Sequence, residues 1–150
     1  MMRCVLAFLL AALIGLPAAF AEGSDKVPGP EELASLQTKA EQAEPRDQCY
    51  LYTKLVQDMT SVTDKQMNSG DVSGAFASLK AIQRYTIKIR NVITGRSKKL
   101  KDAQIMMRRS AFRLEELMKT GSLNEQPAFE STLKGLDQVQ SQMMLAVFNK

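Results

Sequence analysis

Histidine and tryptophan are absent from all 150 residues, and only two cysteines occur, Cys4 and Cys49. Each absence removes a class of chemistry. Without histidine there is no Cys-x-x-Cys-His for a c-type haem, and no Glu-x-x-His for a di-iron carboxylate bundle. Zinc lacks both imidazoles and a thiol cluster. Acid–base work by paired carboxylates needs two of them in one sheltered place. Glu115 and Glu116 are sequence neighbours and point in different directions on a helix. No catalytic, cofactor-binding or metal-ligating residue is expected, and the chain reads as a non-enzyme.

Long apolar runs are equally scarce. The one example is Cys4–Leu16, preceded by Arg3 and followed by Pro17 and the small-x-small site Ala19-Phe20-Ala21. It falls short of the ~20 residues a membrane span needs and has the order of a secretory signal peptide. The reading is a signal peptide over 1–21 cleaved after Ala21, a polar linker over 22–29 and one domain over 30–150. The location that follows is periplasmic or secreted, with no transmembrane segment in the mature form. A mature chain of ~130 residues buries about two-thirds of its unfolded surface, enough for a core. Cys49 is then the sole thiol, so no internal disulfide can form. It is expected to be structural; a bridge to a second chain is conceivable through Cys49 alone and is not expected.

What the chain does have is punctuation. Pro45, Gly70, Gly95 and Gly121 recur about 25 residues apart, and the residues between them are apolar at helical intervals. Glycine past a helix end and proline at a helix start are position-specific signals. Leu33, Leu36, Ala40 and Ala43 mark a short first helix. Tyr52, Leu55, Met59, Val62 and Gln66 mark a second. Val72, Ala75, Leu79, Ile82, Thr86, Ile89 and Ile93 mark a third, with Asp71 placed to cap it. Leu100, Ala103, Met107, Ser110, Leu114 and Leu117 follow on a fourth. Phe129, Thr132, Leu136, Val139, Met143 and Ala146 lie on a fifth, with Pro127 in its first turn. No segment has strand alternation. The prediction is an all-α fold, an up-and-down antiparallel four-helix bundle with a short extra N-terminal helix. Gly70-Asp71 with Ala75, Leu79 and Ile82 resembles half of a tetratricopeptide unit. The helices are too long for that repeat and its period of about 34 residues does not recur, so a tight helical hairpin is the better description.

Charge is uneven. From Arg84 to Arg113 bases outnumber acids ten to one, Asp102 being the acid, although the whole chain carries only +4. Lys98, Lys99 and Lys101 are expected in the first turn of the fourth helix, where the helix dipole disfavours cations. Arg96, Lys98, Lys99, Lys101, Arg108 and Arg109 are therefore the candidate anion-binding residues. An anionic protein, a lipid headgroup or a wall polymer would be the partner; nucleic acid is not expected. The competing account is internal compensation by Glu41, Glu44 and Asp47, which a bundle brings to the same pole. The function expected is an exported, non-catalytic binding module. The alternative is a periplasmic holdase chaperone, whose small exported helical examples are likewise basic and Met-containing, although the Leu-Thr-x-x-Gln motif of one such family is missing. A weaker alternative is a metal or cofactor carrier, since the mature chain has seven methionines and thioethers bind Cu(I).

Overall fold

The computed structural model describes residues 26–149, so the signal peptide, its cleavage site and the first part of the linker lie outside the described residues. Five helices make up the architecture: α1 (Pro30–Gln42), α2 (Pro45–Asn68), α3 (Val72–Val92), α4 (Leu100–Thr120) and α5 (Gln126–Phe148). No strand occurs among the described residues. The all-α expectation holds, and the five helices carry the five apolar stripes read from the sequence.

The boundaries follow from local chemistry. Pro30, Pro45 and Pro127 each sit in the first turn of a helix, where the missing N–H costs nothing. Between α1 and α2 the chain bends sharply at Ala43-Glu44, and Gln48 of α2 donates to the Ala40 carbonyl at 3.1 Å, satisfying the end of α1. Gly70 adopts a left-handed φ of 77°, the conformation that favours glycine. The Gly70 N–H reaches Met67 O and the Asp71 N–H reaches Gln66 O, which completes a Schellman stop. Asp71 Oδ1 then accepts from the Gly74 N–H at 2.9 Å and caps α3 as anticipated.

Packing pairs the long helices in a closed circuit. α2 lies against α3 and α4, α5 lies against the same two, and α1 packs on α2, with the Tyr85 hydroxyl of α3 donating to Gln37 Oε1 of α1 at 2.9 Å. No close backbone approach joins α3 to α4 or α2 to α5 among the described residues, so each of these pairs is diagonal across the shared core. The neighbours α2 and α4 run in the same sense: Asp47 meets Lys98 near their starts, and Asp64 meets Arg113 further along.

All six stripe residues of α4 are buried, as are Phe129, Thr132, Leu136, Val139 and Met143 of α5. On α2 the buried face is wider than its stripe. Cys49, Leu51, Thr53, Val56, Thr60 and Thr63 are buried beside Tyr52 and Leu55, because α2 packs closely on three helices. Its threonines are tolerated there because each hydroxyl donates to the carbonyl four residues earlier.

Candidate anion-binding pole

The segment linking α3 to α4 is not the simple run-in to a helix that its lysines suggested. α4 begins at Leu100, so Lys98 precedes the helix, Lys99 is its N-cap and only Lys101 lies within the first turn. The reason is a turn with its own hydrogen bonds. The Ser97 N–H donates to Thr94 O, Ser97 Oγ accepts from the Thr94 N–H, and the Lys98 N–H donates across to Arg46 O at 2.8 Å. That last bond ties the turn to the start of α2. Lys99 absorbs the change of direction with a φ of 53°, a left-handed conformation that costs a non-glycine residue roughly 1 kcal/mol.

Gly95 serves a different purpose from Gly70. A Cβ at Gly95 would stand 3.3 Å from the Ala146 carbonyl oxygen and 3.4 Å from that of Asn149. The C-terminal turn of α5 therefore presses directly on this linker. The sequence reading brought Pro45, Gly95 and the end of α5 to one pole, and these contacts do so.

The six candidate bases divide into two groups. Arg96, Lys98, Lys99 and Lys101 cluster at the pole and are exposed. Arg108 and Arg109 lie more than two turns along α4, on the order of 12 Å away at helical rise. Arg109 lines a separate groove between α2 and α4 of about 830 Å³, in which Arg113 is bound to Asp64 and Glu116. Those hydrogen bonds raise the Arg113 pKa further and fix the guanidinium in place.

Internal compensation at the pole is partial. Lys98 Nζ stands 3.4 Å from Asp47 Oδ2, with about half of the lysine side chain still exposed. Lys99 Nζ lies 4.7 Å from the centre of the Tyr50 ring, a cation–π contact. No ion pair engages Glu41, Glu44, Arg96 or Lys101 among the described residues. Lys39 of α1 joins the group: with Tyr50, Asp47, Lys98 and Lys99 it lines a cleft of about 470 Å³ between the α1–α2 bend and the turn. Three ammonium groups around one aromatic wall can hold an anion. Lys39 and Tyr50 were not singled out from sequence, since only the α1–α2 bend brings Lys39 here.

Beneath the turn lies Cys49, a free thiol with no exposed surface. Burial pushes its pKa up to about 11, while hydrogen bonds with Ser97 and Thr53 pull weakly the other way. A thiol so placed is protonated and enclosed, which suits a structural residue and not a nucleophile. Comparison with protein-family models, curated proteins and solved structures returns no match.

Proposed function

We propose that this chain is an exported, non-catalytic interaction module that holds an anionic partner at the pole formed by the α1–α2 bend and the α3–α4 turn. Its leader is the signal peptide over residues 1–21, and the mature protein works in the periplasm or outside the cell. The helices form an up-and-down bundle, with α1 as the extra helix and the chain crossing a diagonal between α3 and α4. The closed packing circuit supports a four-helix bundle, while the same-sense pairing of the neighbours α2 and α4 departs from the all-antiparallel packing expected from sequence.

The observation that carries the function is the cleft lined by Lys39, Lys98, Lys99 and Tyr50 with Asp47 as the single acid. Three cations converging at partly exposed positions make a site whose field attracts negative charge. Calorimetric titration with soluble polyphosphate tests the reading. The unaltered protein should bind at low salt and lose affinity steeply as salt rises, because exposed charges are screened over about 8 Å at physiological ionic strength. Lys39→Gln with Lys99→Gln should weaken that binding at least several-fold. No heat of binding from the parent protein at low salt would retire the anion site.

A further inference from the structure

We infer that the α3–α4 turn and the last turn of α5 together form a docking surface for an anionic phospholipid bilayer. The inference rests on the anion-binding reading above and assigns the negative charge to lipid headgroups. Its additional observation is an apolar cluster beside the bases. Met144, Leu145 and Phe148 share the outward face of α5 and are 50%, 62% and 79% exposed. The same turn of α5 is pressed against Gly95, and Val147 shares a small cleft with Lys99 and Lys101. The last turn of α5 thus carries exposed thioether, aliphatic and aromatic side chains and abuts the turn that carries the exposed bases.

That combination selects among anionic partners. A free phosphate or a hydrophilic polymer needs only the bases and gains nothing from an exposed Phe148. A bilayer interface uses both: headgroup phosphates meet the cations while apolar side chains enter the headgroup–acyl boundary. The acids of the pole do not cancel this field. Asp47 offsets Lys98 alone, at 3.4 Å, Glu44 is the N-cap of α2, the corner diagonal to α5, and Asp102 is one acid beside Lys99 and Lys101. Among the described residues no helix is long and apolar enough to cross a membrane, so the attachment is to the surface.

The test is co-sedimentation of the purified exported protein with vesicles, run beside polyphosphate titration. The vesicles are phosphatidylcholine alone or phosphatidylcholine mixed with phosphatidylglycerol. The parent should partition onto the mixed vesicles and far less onto the neutral ones. Leu145→Ser with Phe148→Ser should cut partitioning roughly tenfold or more and leave polyphosphate affinity unchanged. Arg96→Gln with Lys101→Gln should weaken partitioning by about fivefold per base removed. All four side chains are exposed, and unchanged circular dichroism confirms that each variant folds. Polyphosphate binding without vesicle partitioning overturns the bilayer assignment and leaves the anion site standing. So does binding to polyglutamate in preference to vesicles, which would assign the surface to an acidic protein. Binding to neither polyphosphate nor vesicles retires both readings, and an apolar double variant that partitions like the parent overturns this one.

Discussion

The two ends of α3 are built on opposite principles. At its start, glycine takes the left-handed position, the Schellman hydrogen bonds close α2, and Asp71 caps α3. Each residue type matches what its backbone position asks for. At the other end a lysine takes the left-handed position, α4 begins without a side-chain cap, and Lys101 stands at the positive pole of the helix dipole. The Lys99–Tyr50 contact offsets only part of what those choices cost in stability. Natural chains depart from local rules mostly where a function requires it, and the proposed anion site lies at this second end. A second contrast reinforces the first: the α2–α3 connection is held by local bonds alone, whereas the α3–α4 turn adds to its Ser97–Thr94 bonds a bond to Arg46 O and contact with the end of α5.

The largest effect expected from this difference is reached through Cys49, which lies under the turn and hydrogen-bonds with Ser97. Its pKa rises from 9.0 to about 11 on folding. The folded state therefore holds the thiol proton more tightly than the unfolded state does. The resulting stability is complete below pH 9 and is lost as pH climbs from about 9 to about 11, by a total of roughly 2–3 kcal/mol. Urea melts at pH 8 and pH 10 should show the loss in the parent chain and little of it in Cys49→Ala. Equal pH dependence in both proteins would mean that the thiol is not enclosed by the turn.

Next in size is an exchange of residue types between the two left-handed positions. Gly70→Ala should destabilise by about 1–2 kcal/mol, since alanine pays the steric cost that glycine avoids. Lys99→Gly relieves the same cost, but gives up the Tyr50 contact and gains unfolded-state entropy. It should be neutral to within ~1 kcal/mol. Thermal melts of the two variants side by side measure the gap. If Lys99→Gly proved as damaging as Gly70→Ala, the turn would depend on the lysine side chain and not on its backbone conformation.

How much of this was legible beforehand depended on whether the determining contacts were local. The α4 stripe was read without error because a helix touching only α2 and α5 buries one narrow face. Gly70 and Asp71 were legible because Schellman and cap bonds span few residues. Thr53, Thr60 and Thr63 were missed, because their burial reflects α2 being covered from three sides and their hydroxyls are satisfied within the helix. The lysine run is unusual in the sequence alone, yet the expected placement in the first turn of α4 holds for Lys101 and fails for Lys98 and Lys99. The bond from Lys98 to Arg46 that delays the helix joins residues distant in sequence. Arg108 and Arg109 were grouped with the pole on charge alone, and helical rise separates them from it.

The smallest effects distinguish the bases from one another. Lys98 faces Asp47 at 3.4 Å, so Lys98→Glu sets two carboxylates together and should lower stability by a few tenths of a kcal/mol, the scale of an exposed pair. Lys101 has no such partner among the described residues and stands in the first turn of α4. Lys101→Glu should therefore raise stability by about 0.3–1 kcal/mol through the helix dipole. The two substitutions change net charge equally, so their difference reports local geometry. Both effects are electrostatic and exposed, and melts repeated in 1 M salt, where the screening length falls to about 3 Å, should bring the variants together. A gap that survives high salt would locate the cause in the backbone of the turn, and the contrast between the two ends of α3 would then be one of strain alone.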